Sequence, residues 1–406
     1  LPSHTLGLAW KASNLIGFDV YWINLLKGRI QLSNTKMDAP YYITPNFVTS
    51  NLWSIQDAQG YLPPTDIVLN SDLKPQTRSE INLGLDIELF NGRVNITSET
   101  YFRQTRDFII PVFTTAQTAQ LTNAGSLRTH GYELTIDIGQ YFSNGHFTFG
   151  GTFGAFRQKV YKLANGRSEI SLGGFPEIST SLVKGEPVGI LYGTRYLRDD
   201  QGRKIIGSEG FPLVDPEMGV VGNPIPDWTT SIFGDINYLG FTLSFLLDLS
   251  YGGDIWNGTR NTMDYFGTGS ESAELRNTKG YVFEGVNLNG ETNDIEVDFY
   301  DPTLPFEENR WVRYGVAGVA EDAIEDGSYL KLRTISLTYN LPGSITSKLF
   351  MQEASIGIFA GNILLWTPYS GVDPETNLSG DSFGRGLDYF NLPNASEYGI
   401  KINFGF

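Results

Sequence analysis

The side chains in this sequence that could carry out acid–base or nucleophilic chemistry are few and scattered. There are three histidines, His4, His130 and His146, and no cysteine. Neither a GxxxxGK[ST] phosphate-binding loop nor an HExxH zinc motif occurs, and a Ser/His/Asp triad would have to use one of these isolated histidines. We therefore expect no catalytic residues, no metal ligands and no cofactor.

A run of carboxylates lies in residues 291–301. Calcium is bound by about six to eight oxygen ligands, many of them from carboxylates, but the spacing in this run does not match an EF-hand loop. A solvated acidic loop is the better interpretation.

Aromatic side chains in the predicted loops indicate binding rather than catalysis. Aromatic rings stack on the apolar faces of sugar rings, and Tyr and Trp also form hydrogen bonds. The candidate substrate contacts are Tyr192, Tyr196, Trp256, Tyr265, Phe266, Trp311, Trp366 and Tyr369. Two alternatives remain open: Trp256 and Trp366 follow predicted strand ends and would suit a membrane-interface girdle, and other rings would suit loop packing.

Residues 81–89, 132–139 and 241–251 alternate apolar and polar side chains. This period of two is typical of strands, in which successive side chains face opposite sides. Each strand then has one apolar face and one polar face. Both a soluble β-sandwich and a transmembrane β-barrel produce this pattern.

Strand and loop lengths favour the barrel. The predicted strands are residues 4–13, 24–34, 78–89, 92–107, 127–140, 145–161, 227–238, 241–252, 328–339, 352–363 and 396–406. Several reach the roughly 9–11 residues that cross a bilayer, and tight turns alternate with long loops, as in outer-membrane barrels. The long loops are expected near residues 35–77, 108–126, 162–226, 253–327 and 364–395.

The predicted fold is therefore all-β, a transmembrane antiparallel β-barrel in which residues 1–406 form one domain. About eleven strands is an odd count, whereas bacterial barrels have an even number. Eleven is half of the roughly twenty-two strands of the largest plugged barrels, so we expect the C-terminal half of such a barrel. The alternation slips in residues 328–339, which predicts a β-bulge near Thr334.

The last strand ends on an aromatic residue. Its apolar positions are Tyr398, Ile400, Ile402, Phe404 and Phe406. This pattern resembles the C-terminal signature of outer-membrane proteins that the barrel-assembly machinery recognises. We expect these residues to act as the membrane-assembly signal, with the C-terminus periplasmic and the long loops extracellular.

The charge balance excludes one class of partner. The net charge is −16 and the pI is about 4.6. Binding to nucleic acid depends on basic surfaces that neutralise phosphates, so nucleic acid is not an expected partner. No stretch of about 18 apolar residues occurs, so no transmembrane helix is predicted.

Several segments, spread over nearly the whole chain, resemble the SusC/RagA family of TonB-linked outer-membrane proteins. The segments that carry the resemblance are Leu6-Gly7-Leu8-Ala9-Trp10, Leu26-Lys27-Gly28-Arg29, Leu73-Lys74-Pro75-Gln76, Phe90-Asn91-Gly92-Arg93-Val94, Asn123-Ala124-Gly125-Ser126, Gly131-Tyr132-Glu133-Leu134, Gly222-Asn223-Pro224-Ile225-Pro226-Asp227-Trp228, Tyr329-Leu330-Lys331-Leu332-Arg333 and Gly371-Val372-Asp373-Pro374-Glu375. One departure is His130, where the family usually has Lys.

The resemblance implies active import of large nutrients, oligosaccharides or peptides, across the outer membrane. It also implies a SusD-like surface lipoprotein as a lid, energy from TonB–ExbB–ExbD, contact with outer-membrane lipid, and dimers of transporter–lid pairs. Two alternatives from other classes are a passive porin or adhesin barrel and a secreted all-β glycan-binding protein.

Overall fold

One large antiparallel sheet dominates the protein. The computed structural model describes residues 3–12, 22–38, 66–68, 70, 72–113, 118–316, 318–378 and 384–406. In chain order the strands are β1 (His4–Lys11), β2 (Ile23–Met37), β3 (Asp66–Val68), β4 (Gln76–Leu89), β5 (Val94–Phe113), β6 (Thr118–Phe142), β7 (Gly145–Leu163), β8 (Glu169–Gly174), β9 (Ile178–Val183), β10 (Val188–Gly193), β11 (Gly219–Gly222), β12 (Trp228–Tyr238), β13 (Phe241–Tyr251), β14 (Asp254–Asn257), β15 (Ile324–Asp326), β16 (Tyr329–Asn340), β17 (Glu353–Trp366), β18 (Leu387–Asp388) and β19 (Glu397–Gly405).

The large sheet is an open meander. Its strand order is β1-β2-β4-β5-β6-β7-β12-β13-β16-β17-β19, and β3 joins it by parallel pairing with β6. All eleven strands predicted from the alternation are present in this order, so the all-β antiparallel class is confirmed. The sheet curves as part of a barrel that the described residues do not close.

One face of this sheet is apolar and exposed. Leu243 of β13 lies between Ile236 of β12 and Leu337 of β16. Leu243 and Leu337 remain 37% and 41% exposed, so no other part of the described chain covers them. A sandwich would bury such a face under a second sheet. Exposure on this scale instead suits contact with lipid.

The opposite face carries charged and polar side chains. Asp86 of β4 accepts a hydrogen bond from the Arg29 guanidinium at 2.9 Å and lies 3.3 Å from the Lys27 ammonium. On later strands, the Ser231 hydroxyl donates to Asp248 at 2.6 Å. This polar face corresponds to the lumen wall of a barrel.

Aromatic residues border the apolar face at both ends. Toward the long connections the row contains Phe102, Tyr132, Phe153, Trp228, Tyr251 and Trp366, and toward the tight turns it contains Phe142, Tyr238, Phe241 and Tyr339. The ring centroids of Trp228 and Tyr251 are 5.4 Å apart, and those of Phe241 and Tyr339 are 4.5 Å apart. Two such rows are typical of the membrane–water interfaces of outer-membrane barrels; we call them the aromatic girdles.

The tight turns follow from residues that accept a left-handed backbone. Leu239 and Gly240, which join β12 to β13, have φ of 50° and 87°. A two-residue turn with positive φ at both positions matches the right-handed twist of the flanking strands, and glycine adopts it without steric cost. The predicted turn at Asn91-Gly92 has the same character, with φ of 59° and 80°.

The predicted β-bulge is confirmed and lies at Arg333. The pairing of β16 with both neighbouring strands shifts between Leu332 and Thr334, so Arg333 is the extra residue. The shift explains the slip in the sequence pattern. It places Leu332 and Ile335 on the apolar face and leaves Lys331 and Arg333 on the polar face.

The predicted loop at residues 108–126 is wrong for most of its length. Strand β5 continues to Phe113 and β6 already begins at Thr118. The pairing of these strands shifts around Asp107, whose φ is 53°. This irregularity interrupts the alternation, so the sequence pattern of a strand ends there.

The other long connections are structured where they are described. Residues 162–226 include the sheet β11-β10-β9-β8, and residues 253–327 include β14 and β15, which form a second small sheet with β18. The α-helices are Gly258–Tyr265, Ser270–Leu275, Arg310–Arg313 and Gly343–Thr346, and the 3₁₀ turns are Ala164–Gly166, Phe306–Glu308, Ala320–Ala323 and Ser347–Leu349. None of the helices in the described ranges is long and apolar enough to cross a membrane. Most of the predicted loop at 35–77, including residues 39–65, lies outside the described residues.

Candidate functional site

Three long connections pack together at the end of the sheet opposite the tight turns. We call residues 164–227, 252–328 and 367–396 the loop assembly; its described parts hold both small sheets and most of the helices. Three clusters of buried hydrophobic residues stabilise this end of the protein. One of them also includes Phe108 and Val160 from the extended ends of β5 and β7, so the loop assembly packs against the large sheet.

Three of the predicted substrate contacts are packing residues instead. Tyr196, Trp256 and Tyr369 are only 3%, 1% and 4% exposed. The Tyr196 hydroxyl donates to Asp322 at 2.9 Å, and the Tyr369 hydroxyl donates to Asp388 at 2.6 Å. Burial, reinforced by these carboxylates, raises the pKa of both tyrosines, so both stay neutral donors. Loops of this length build cores of their own, and large rings fill those cores efficiently.

Trp366 lies on the membrane-facing side rather than in the loop assembly. It is opposite Leu330 of β16, which in turn is opposite Leu249 of β13. All three occupy the apolar face, and Trp366 is 52% exposed there. This position favours the girdle alternative over substrate contact.

Two other predicted residues contact each other in the loop assembly, and Tyr265 lines a cleft there. The rings of Tyr265 and Phe266 meet edge to face with centroids 5.0 Å apart, and Phe266 is 70% exposed. Tyr265 lines a cleft of about 520 Å³, which we call the aromatic cleft. The residues that line it are Glu209, Tyr265, Glu307, Glu308, Val312, Arg313 and Val316.

An ion pair between two connections holds one wall of the aromatic cleft in place. The Arg313 guanidinium donates to Glu209 at 3.0 Å and lies 4.5 Å from the centroid of the Phe211 ring. This pair joins two connections that are far apart in sequence. The remaining carboxylates, Glu307 and Glu308, make the rim acidic.

Trp311 borders a smaller and more polar pocket. The pocket has a volume of about 90 Å³ and is lined by residues that include Arg260, Arg310 and Asp322. The indole N–H of Trp311 is buried and has no hydrogen-bond partner among the described residues. Tyr192 of β10 is half-buried and lines neither the polar pocket nor the aromatic cleft.

A buried ionic network attaches the loop assembly to the polar face of the large sheet. The Lys331 ammonium of β16 lies 3.0 Å from both carboxylate oxygens of Asp373, and these residues are 2% and 3% exposed. The Arg333 guanidinium donates to Glu375 and, at 2.6 Å, to Asp248 of β13. We call this network of five charged residues the loop anchor.

Both halves of the loop anchor occur in sequence motifs described above, but as two separate motifs. Lys331 and Arg333 belong to one motif, and Asp373 and Glu375 to another, 42 positions further along. Two signals were present. A lysine inside a strand that borders lipid needs a charged partner, and the phase slip turns Arg333 toward the same face as Lys331.

The charge of Glu375 gives the loop anchor a defined pH dependence. Burial alone would raise the pKa of Glu375, but hydrogen bonds and charges from Arg333 and Lys331 outweigh burial and lower it from 4.5 to about 2. A carboxyl whose pKa is lowered by folding stabilises the folded state above its unfolded pKa, and this contribution is lost as the pH falls through the folded value.

We therefore expect the loop around Glu375 to resist pepsin at about pH 4 and to become susceptible as the pH approaches about 2. The variant Glu375→Gln should be cleaved already at the higher pH. Glu353→Gln, an exposed change near the tight turns, serves as the control. Equal cleavage of wild type at both pH values would contradict the role given to Glu375.

The predicted assembly signal lies on an edge of the large sheet. Strand β19 pairs with β17, and its apolar positions face the same side as Ile356 and Ile358. Tyr398, Ile400, Ile402, Phe404 and Phe406 are 75%, 71%, 54%, 58% and 80% exposed. The pairing places the first four of these residues on the apolar face, and recognition of all five during assembly stays a prediction.

The three histidines and the acidic run at residues 291–301 do not form a common site. His130 stacks on Phe102 with centroids 4.5 Å apart, on the apolar face. In the acidic run, Asp298 accepts a hydrogen bond from the Gly280 backbone at 3.0 Å, and Asp301 accepts one from the Thr303 backbone at 2.8 Å. Within the described ranges no group of three or more His, Asp or Glu residues is arranged to hold a metal ion.

Comparison with known proteins identifies similar chains. A family model described as "TonB dependent receptor-like, beta-barrel" matches residues 38–292. TonB-dependent receptor P3 of Formosa agariphila is 26% identical over 441 aligned residues, which cover 98% of this chain and 42% of that protein. TonB-dependent receptor SusC of Bacteroides thetaiotaomicron is 21% identical over 96% of this chain and 39% of that protein.

A solved structure has the same fold. It is described as "Structure of the RagAB peptide transporter", and it superposes on all of this chain and 43% of its own with a TM-score of 0.69 at 19% identity. The chain thus spans about two fifths of the length of the proteins it matches.

Proposed function

Because the chain belongs to the TonB-dependent receptor-like β-barrel family, we propose that it forms about half of the wall of an outer-membrane transporter for oligosaccharides or peptides. The family consists of outer-membrane transporters. The proposed transport is active and is driven by TonB–ExbB–ExbD.

The observation that carries this proposal is the opposite character of the two faces of one sheet. The apolar face is exposed between two aromatic girdles, as a lipid contact requires. The polar face, with ion pairs such as Arg29–Asp86, suits a watery lumen that a plug domain would fill. The loop assembly at one end supplies a substrate-recognition surface.

The orientation and partners follow from the same proposal. The loop assembly faces the outside of the cell, where it meets a SusD-like lipoprotein, and the C-terminus faces the periplasm. The relatives that support the lipoprotein partner are SusC and the RagAB peptide transporter. Pairing of two transporter–lid units is part of the proposal.

The test is uptake by cells that express the complete gene. Candidate oligosaccharides and peptides are offered in labelled form, and accumulation is compared with and without TonB. We expect accumulation to disappear without TonB while surface binding remains. Uptake that persists without TonB indicates a porin, and binding without uptake in either strain indicates an adhesin; either result would overturn the proposal.

We expect the aromatic cleft to contribute to substrate affinity. Replacing both Tyr265 and Phe266 by Ala removes ring contacts worth about 0.5–1.5 kcal/mol each, so affinity should fall by about two- to twelvefold per ring. The control is Trp366→Ala, which removes a ring of the girdle. Titration of the purified transporter with its substrate measures both. An equal loss of affinity in the control would show that the aromatic cleft is not the substrate contact site.

We also expect the terminal aromatic residue to support assembly. Deleting Phe406 should lower the amount of folded barrel in the outer membrane, measured as the heat-modifiable band on gels. Deletion of Lys348 in the connection between β16 and β17 provides a one-residue control near the same end. Normal amounts of folded barrel after deletion of Phe406 would count against the assembly signal.

A further inference from the structure

Among the described residues, the charged side chains that the strand pairing places on the apolar side of the large sheet are all basic and lie in one place. On strands β2 and β4–β7, the pairing places Lys36, Arg106, Arg128, Arg157, Lys159 and Lys162 on this side, at the end that carries the loop assembly. Apart from Asp107, the extra residue at the pairing shift in β5, the pairing places no Asp or Glu among the described residues of these strands on the same side. This distribution is unexpected in a chain with a net charge of −16.

The basic residues begin where the lipid-facing band ends. Along β7, Phe153 and Ala155 are followed on the same face by Arg157 and Lys159. Along β6, Tyr132 is likewise followed by His130 and then Arg128 in the direction of the loop assembly. Side chains on one face repeat about every 7 Å along a strand. The cationic groups therefore lie just beyond the aromatic girdle, at the depth of lipid headgroups.

A groove connects the basic residues with the apolar band. It has a volume of about 890 Å³, and its lining includes Leu32, Ile81 and Phe102 at one end and Arg128, Arg157 and Lys159 at the other. Glu80 and Arg103 also border it, but they pair with each other at 2.8 Å. All three basic residues are exposed. The Arg128 guanidinium lies 3.8 Å from the centroid of the Tyr161 ring, which holds it in place beside the groove.

The cationic groups are free to bind a ligand. Within the described part of the chain, none of Arg128, Arg157 and Lys159 forms a salt bridge, whereas Arg78 and Arg103 on the opposite face of the same sheet both pair with Glu80. Strands β5–β7 lie in the interior of the sheet, so these cationic groups do not lie at either sheet edge.

We propose that this groove binds a phosphorylated glycolipid of the outer leaflet. The phosphate groups would contact Arg128, Arg157 and Lys159, and the acyl chains would lie along Leu32, Ile81 and Phe102. Charge and depth favour this occupant: an anionic headgroup meets three unpaired cations just where an apolar tail meets the apolar face. The inference rests on the proposed membrane location and orientation, but not on import.

The experiment uses the complete protein purified in detergent and three probes: lipid A, lipid A from which phosphate has been removed, and inorganic phosphate. The test variant is Arg128→Gln/Arg157→Gln/Lys159→Gln. The control, Arg276→Gln/Lys279→Gln/Lys348→Gln, removes the same number of positive charges from exposed positions elsewhere. Folding of each variant is checked by heat modifiability, and uptake in cells is measured separately.

We expect the test variant to bind lipid A about tenfold more weakly than the control, because it loses three exposed ion pairs with phosphate. Binding should also weaken as salt is added. Arg157→Gln alone should cost about threefold, which keeps the inference testable if the triple variant does not fold.

Three results would overturn the proposal. Equal binding of lipid A with and without phosphate would show that the cations do not contribute to binding. Equal binding of inorganic phosphate and lipid A would show that the apolar part of the groove does not contribute. Dissociation of a dimer in the test variant would instead identify the groove as an interface between two copies. Loss of lipid A binding with normal uptake leaves the transport proposal intact, so failures of the two proposals can be told apart.

Discussion

Placing an arginine at Ile136 is expected to destabilise the folded barrel by about 2–4 kcal/mol. Ile136 lies on the apolar face of β6, opposite Ile96 of β5 and Gly151 of β7. It is about midway between Tyr132 and Phe142, the girdle residues of the same strand. A guanidinium at this depth would have to be taken out of water without a partner.

The neighbouring position provides the matched control. Thr135 faces the opposite side, between Thr97 and Thr152. Thr135→Arg introduces the same side chain one residue away and should cost far less, because the lumen wall is already charged. Urea titration of the protein refolded in lipid vesicles gives both free energies of unfolding. If both substitutions destabilise equally, the assignment of the two faces is incorrect.

The second large effect is expected at the loop anchor. Asp373→Asn leaves Glu375 as the one remaining carboxylate partner of the buried Lys331 ammonium among the described residues, and breaking a buried ion pair costs about 3–5 kcal/mol. The change also weakens the hydrogen bond that the Glu375 backbone N–H donates to the Asp373 carboxylate at 3.0 Å. We expect the loop around residues 371–378 to detach while the large sheet stays folded.

Hydrogen exchange measures this detachment locally. The backbone amides of Glu375 and Thr376 are bonded to Asp373 and should lose protection in the variant. Asp199→Asn, which removes a half-buried carboxylate paired with Arg203, should leave exchange in that loop unchanged. The double change Lys331→Met/Asp373→Leu should restore protection at Thr376, whose amide donates to the Asp373 backbone carbonyl, because it removes the buried ammonium together with its partner. Protection at Glu375 should stay low, because the carboxylate that accepts its amide is gone. Unchanged protection in Asp373→Asn would show that the anchor does not hold the loop.

The sequence was informative wherever a single strand determines its own pattern. The alternation at Phe241–Tyr251 predicted both the strand and its two faces, and the slip near Thr334 located the bulge to within one residue. Residues beyond Asp107 escaped detection because a shift in pairing changes which face each side chain takes. Local pattern cannot register such shifts without the neighbouring strand.

The roles of the loop aromatics were harder to predict, because they depend on contacts between distant segments. Nothing near Trp256 in the sequence indicates that Tyr389, 133 positions away, stacks parallel to it at 6.3 Å. Composition alone does not separate packing residues from binding residues, since large rings serve both roles. Only the packing of three separate connections distinguishes buried Tyr369 from exposed Phe266.

The loop anchor also has a consequence for the order in which the chain folds. Lys331 and Asp373 are separated by 42 positions, but pairing of β16 with β17 brings their segments close before they meet. Closing a loop costs more entropy the longer it is, so we expect the hairpin first and the anchor second. Asn394, three residues before β19, then donates to Asp373 at 3.1 Å. The last strand would thus be guided into place by a contact that exists only after its neighbours have paired correctly.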